Sequence, residues 1–209
     1  MKEMGRKIAH NLTYLISYAY NLRLLSLLTR FKNRLFWNAL QRRFLKVGEG
    51  SFMEYPVVTL GEKHISIGKN FYAFARLRIE AYDQHLGNFY KPKITIGNDV
   101  SVNYDSHIAC INSIVIGDNV LIGSKVLITD HSHGNINAQA LTIPPAKRPL
   151  VSKGPVIIED NVWIGEGVVV LPGVRIGQNS IIGANAVVAK DIPPNCTAGG
   201  NPARVLRLI

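Results

Sequence analysis

Cysteine is nearly absent: Cys110 and Cys196 are the only two in 209 residues. Two thiols are too few for a disulfide framework and stand in no metal-binding spacing, so a reducing cytosol is the better expectation, with both packed as small apolar groups. Nor is there an apolar run long enough to cross a bilayer. The most apolar stretch, residues 12–28, contains Arg23, and a spanning helix needs about 20 apolar residues. No small-residue cleavage site follows it, which argues against a secretory signal. Proline and glycine are missing from residues 8–46, and acids are scarce there: Glu3 is the one acid in residues 1–46, against ten Lys and Arg.

The net charge of +10 therefore belongs almost wholly to the N-terminus, because the rest of the chain has 14 basic and 13 acidic side chains. Residues 1–50 read as a basic amphipathic helical segment, with Leu, Ile, Tyr, Phe and Trp37 interleaved among the cations. Three roles stay open for it: an interfacial helix on an anionic membrane through residues 1–46, phosphate binding on nucleic acid, or a cap on the domain that follows. The expectation favours cap and membrane, with no nucleic acid.

The remainder is governed by a period of six. Ile158, Ile164, Val170, Ile176, Ile182 and Val188 recur every sixth residue, and Val156, Val162, Val168, Val174, Ser180 and Ala186 stand two places earlier. Neither a helix nor an ordinary strand has this period. A six-residue unit cannot bury its own apolar side chain and must stack on copies of itself, as in a β-helix solenoid. Glycine follows at Gly165, Gly177 and Gly183, read as residues tolerating positive φ at the corners. Three hexads make a triangular turn. About six coils fit between Val57 and Ile192, giving a prism about 29 Å tall at the spacing of paired strands, so residues 51–209 form an all-β domain with a tail at 193–209.

The register is looser before Ile96, where AYDQHLGNFYKPK reads as a projecting loop, and two extra residues separate Ile108 from Ile116. It then stops between Ile128 and Val156. A long structureless loop, residues 129–155, inside a regular solenoid points to function. At its root stand Asp130, His131 and His133. Imidazole titrates near neutrality and can take a proton from a hydroxyl, so both histidines are general-base candidates. Asp130 points away from His131 on an ideal strand, which leaves an orienting role a guess. No Ser or Cys stands in a recognisable nucleophile setting.

The hexads, the loop histidine, the run VWIGEGVVVLPGVRIGQNSIIGANAVVAKDIPP and the ending GGNPARVLR resemble the hexapeptide-repeat acyltransferases, and among them the sugar O-acetyltransferases that act on maltose, galactosides, O-antigen and capsule. The resemblance covers residues 57–208. It implies a left-handed parallel β-helix and a homotrimer with active sites between neighbouring prisms. Acetyl-CoA would be the donor, with no metal, and a sugar or polysaccharide hydroxyl the acceptor. Carried over by position, His131 is the catalytic base and His133 a supporting group. Glu166, Ala184, Ala189, Lys190, Arg204 and Arg207 are CoA-binding positions, although Glu166 and Ala189 depart from the family's hydroxyl residues. Trp163 lies against CoA and acceptor in some members, or simply on the outside of the prism. The acceptor-binding Asn of the galactoside enzymes is missing from Phe71-Tyr72-Ala73-Phe74-Ala75, so Asn103 and Asp105 are the substitutes, with Tyr82 and Asp83 behind them. Competing readings are a small free sugar or xenobiotic as acceptor, a non-catalytic scaffold, and a γ-type carbonic anhydrase using His107, His131 and His133 on zinc. Serine acetyltransferase is disfavoured, since its loop motif and helical domain are missing.

Overall fold

The computed structural model describes residues 2–18 and 22–209. The chain divides into a unit ending at Phe36 and a unit running Trp37–Ile209. In the first lies helix α1 (Lys2–Tyr18) and most of helix α2 (Leu22–Leu40). Ala19, Tyr20 and Asn21, inside the expected amphipathic stretch, fall outside the described residues. The sequence boundary at 50/51 and the contact boundary at 36/37 differ for a packing reason. Trp37, Leu40 and Phe44 are buried, with the Trp37 ring 6.2 Å from Phe44 and 6.3 Å from Phe52, so the end of α2 belongs to the solenoid and covers its first coil.

The second unit is a parallel β-helix of three faces. Face A has six strands, face B eight and face C six. One coil reads Val156–Ile158 on face A, Trp163–Ile164 on face B and Val169–Val170 on face C. Every neighbouring pair on the faces is parallel except the last on face B, where Arg204–Leu208 turns back antiparallel on Cys196–Gly199. The first coil starts at Lys46–Val47, which pairs with Ser66–Ile67, earlier than the Val57 expected; this strand lacks the V-x-I pattern that marks the others.

The hexad has the predicted packing. Ile158, Ile164, Val170, Ile176, Ile182 and Val188, and their partners two residues earlier, are all at most 2% exposed. Each such side chain withdrawn from water contributes about 1.5–3 kcal/mol. The expected role of the glycines needs correction. Positive φ falls elsewhere, on a column of Asn70, Asp99, Asn119, Asn161, Asn179 and Asn195 between faces A and B, residue types that tolerate the left-handed region, and on Arg76, Asp105, Lys125, Gly167 and Asn185 between faces B and C. Gly165 and Gly177 serve a close approach instead, whereas a Cβ at Gly183 would meet nothing nearer than 3.5 Å. A Cβ on Gly165 would stand 2.7 Å from the Ala184 nitrogen, and one on Gly177 2.4 Å from that of Pro194, so the stacking distance itself excludes a side chain.

Both interruptions lie between faces C and A. The first is an antiparallel hairpin, Gln84–His85 with Asn88–Phe89. The second, expected to be structureless, is ordered. His131–His133 pairs antiparallel with Leu150–Ser152, helix α3 (Ala138–Leu141) lies between them, and the Leu150 N–H donates to Tyr90 Oη at 3.0 Å, tying one insertion to the other.

Candidate active site

The site begins with a polar residue at an inward position. Along face C, Ile128 is buried and Thr129 faces outward; the next residue, Asp130, is fully buried. Its Oδ1 accepts the Ile111 N–H at 2.9 Å. Its Oδ2 accepts those of Asn112 and Ser113 at 2.8 Å each, and Cys110 Sγ lies 3.2 Å away. These donors belong to the corner that holds the two residues in excess of the hexad, so the extra residues and the buried carboxylate explain one another. Burial pushes the Asp130 carboxyl up, but His131 and these donors outweigh it, and the group is held below the usual carboxylate range. Burial, and then Asp130, raise the Cys110 thiol. Both cysteines are free and buried.

Asp130 Oδ1 also meets His131 Nδ1 at 3.0 Å, a contact that ideal strand alternation would forbid. It exists because the chain leaves the coil at this point, and the imidazole folds back over the carboxylate. A carboxylate accepts, so Nδ1 carries a proton, and in the neutral ring the lone pair is then on Nε2. The His131 side chain is 10% exposed, with the Tyr82 ring edge-on at 6.0 Å.

A second imidazole–carboxylate pair stands beside it. His107 Nε2 lies 2.8 Å from Glu80 Oε2, and Arg78 Nη2 donates to the same oxygen at 2.8 Å. Glu80 is 7% exposed. Burial, then the Arg78 charge, hold the His107 pKa below its ordinary value, so the ring is neutral, with Nε2–H given to Glu80 and the Nδ1 lone pair left over. Reading along the sequence missed this pair, because its members lie 27 residues apart on adjacent coils. The available signal was the alternation of Arg78 and Glu80 around Ile79, one coil below His107.

Both imidazoles line a cavity of about 370 Å³, together with Arg78, Tyr82, His85, Thr129 and His133. The His85 ring meets that of His133 at 5.8 Å, and its buried Nε2 has no hydrogen-bond partner. His133 also borders a larger cavity of about 690 Å³, walled by Asn135, Arg148, Lys153, Leu171, Pro172 and Ala189. Of the expected CoA positions, Ala189 lines this second cavity and Lys190 follows it on the surface. Glu166 and Ala184 sit at the opposite edge of face C, toward face B, where Glu166 pairs with Lys125 at 3.3 Å. Arg204 and Arg207 are exposed on the reversed C-terminal strand. Trp163 is half exposed on the outside of face B.

The acceptor positions divide in the same way. Tyr82 lines the smaller cavity. Asp83 is held by Lys63 at 2.8 Å and His64 at 3.2 Å. Asn103 donates to the Ile122 carbonyl at 3.0 Å, and Asp105 is gripped twice by Arg76, at 2.6 and 2.9 Å. Those two lie at the face B–C edge, across face C from His131. Among the described residues, no group of three or more His, Cys, Asp or Glu side chains is arranged to hold a metal ion.

The sequence matches the family described as bacterial transferase hexapeptide (six repeats) over residues 155–190, and the hexapeptide repeat of succinyl-transferase over 113–129. A putative lipopolysaccharide biosynthesis O-acetyl transferase of Escherichia coli, WbbJ, is 38% identical over 159 residues, 74% of this chain and 77% of that one. The galactoside O-acetyltransferase of Escherichia coli is 37% identical, and the match spans 81% of this chain but 66% of the relative. Among solved structures, a galactoside acetyltransferase in complex with coenzyme A superimposes with a TM-score of 0.54 at 35% identity, covering 81% of this chain and 67% of that one. AntD, an N-acyltransferase from Bacillus cereus, reaches 0.63 over 82% and 87% of the two chains, and at 19% identity it shares the fold alone. The chain belongs to the hexapeptide-repeat acyltransferases, in their sugar O-acetyltransferase branch.

Proposed function

We propose that this protein acetylates a sugar hydroxyl of a surface polysaccharide, such as O-antigen, capsule or exopolysaccharide, or of its precursor, using acetyl-CoA in the cytoplasm. The observation that carries the reading is the Asp130–His131 contact at 3.0 Å, which leaves Nε2 as the basic nitrogen at the wall of a cavity. His131 Nε2 takes the proton of the acceptor hydroxyl as that oxygen attacks the thioester carbonyl. The tetrahedral intermediate collapses with loss of CoA thiolate, and the proton held by His131 returns to the sulfur. Asp130 keeps the ring in the productive tautomer and steadies the imidazolium.

The larger cavity is the donor side. Arg148 and Lys153 on its wall suit the phosphates of CoA, Leu171, Pro172 and Ala189 its pantetheine arm, and His133 stands at the junction with the acceptor side. On the acceptor side, neutral His107 offers Nδ1 to a second sugar hydroxyl, next to Arg78.

The other site positions, Asn103, Asp105, Glu166 and Ala184, lie on the far edge of face C. The split of the positions between two edges of face C supports a homotrimer in which that edge of one copy meets the His131 edge of its neighbour, so that two copies make each site. Sedimentation should give about three times the 23.1 kDa chain mass. With the deacetylated polysaccharide of the source and a panel of methyl glycosides as acceptors, CoA thiol release should fall by about 10²–10⁴ in His131→Ala. Undiminished turnover in that variant would overturn the assignment.

A further inference from the structure

We propose that α1 and α2 form a lipid-docking surface that lies in the plane of an anionic membrane and brings the enzyme to it. The helices carry apolar stripes at helical spacing: Met4, Ile8, Leu12 and Leu15 on α1, and Leu27, Leu28, Phe31 and Leu35 on α2. These eight side chains are 54–67% exposed, and α1 has no buried residue. Such a stripe in water is unfavourable, so something of low polarity covers it.

Charge selects the cover. Residues 1–36 hold seven Lys and Arg against Glu3 alone. On α2, Arg23 and Arg30 fall roughly a quarter-turn or more to one side of the stripe and Lys32 to the other. Basic side chains flanking an apolar stripe can run their stems along it while their charged ends meet lipid phosphates. Packing against the same segment of a second copy would bring this excess of like charge together, with one acid per copy to offset it. Nucleic acid would satisfy the cations and leave the stripe in water. No described helix is long and apolar enough to cross a membrane, so the helices lie on the surface. A polymer precursor anchored to that surface would meet the enzyme there, whichever of its hydroxyls is acetylated.

The experiment is co-sedimentation of the full-chain protein with 70:30 phosphatidylcholine:phosphatidylglycerol vesicles. Binding is expected at 50 mM salt, weaker at 500 mM, and absent with pure phosphatidylcholine. Arg23→Glu with Arg30→Glu should lower partitioning at least tenfold, since each basic residue contributes about fivefold near an anionic surface. Leu28→Glu with Phe31→Glu should abolish it. All four positions are distant in sequence from the catalytic residues, so both variants should keep CoA binding and oligomeric state, which also shows that they fold. No binding to the anionic vesicles at low salt overturns the proposal. So does full retention by both variants, dissociation of the oligomer by the Leu28 and Phe31 changes, or a single-stranded RNA that binds the helices while the vesicles do not. Vesicle binding is read without turnover, so its failure leaves the acetyl-transfer reading standing.

Discussion

Two stretches of face C carry the same register to opposite ends. In the coil at Val168–Val170 the inward positions are both apolar and the chain turns the corner at Pro172; one coil below, Val126 and Ile128 are equally buried, but the next inward position is Asp130. The regular coil leaves no inward polar group to satisfy. The interrupted coil buries a carboxylate and surrounds it with backbone donors from the corner beneath. An apolar core stabilises without directing chemistry, whereas a buried charge supported by fixed donors gives one imidazole a defined orientation.

The sharpest break in this contrast is Asp130→Ala. It leaves the buried Ile111 N–H and the part-buried N–H groups of Asn112 and Ser113 without their acceptor, at about 1–3 kcal/mol for a buried group and less for the others, and frees the His131 ring. Thermal unfolding should show a loss of about 3 kcal/mol or more, and CoA-release assays on the remaining folded protein a fall of about 10²–10⁴. Retention of both would mean that the carboxylate is ornamental. In the regular coil, Ile164→Ala should cost about 2–5 kcal/mol for the cavity it leaves, with turnover per folded molecule unchanged.

Next comes Gly177→Ala, whose new Cβ meets the Pro194 backbone at 2.4 Å. It should destabilise by about 1–3 kcal/mol by forcing two coils apart, and a neutral result would show that the stack gives easily. The smallest effect is a slope. His107 has a folded pKa below its ordinary value, so below about pH 6.5 the unfolded chain takes the proton first and stability falls as pH falls. His107→Gln should flatten that acid-side slope in denaturant titrations; an unchanged slope would place the titration elsewhere.

The coils were legible because two side chains in six must face the axis, and that requirement writes itself into Val, Ile and Ala at fixed places. His131 was legible as a candidate because the period breaks beside it. The Asp130 contact was hidden, since the rule of alternation holds only while the chain remains a strand, and His131 is where it departs. His107 and Glu80 were hidden for another reason: in a solenoid, neighbours in space are a coil and its insertions apart, here 27 residues, and no local pattern marks which outward side chains will face each other. The first strand, Lys46–Val47, escaped because it lacks the V-x-I pattern, although it pairs with Ser66–Ile67 like any other coil.

The two ends of the solenoid set its manner of growth. Trp37, Leu40 and Phe44 plug one. At the other, Ile192 bridges Ile176, Gly200 accepts from Val187 at 3.0 Å and Val187 from Ala203 at 2.8 Å, and the reversed strand Arg204–Leu208 faces the wrong way to template a parallel successor. A column stoppered at both ends cannot lengthen into a fibre by stacking. Further copies can add only along its sides, where the outward residues of the three faces decide which copy fits.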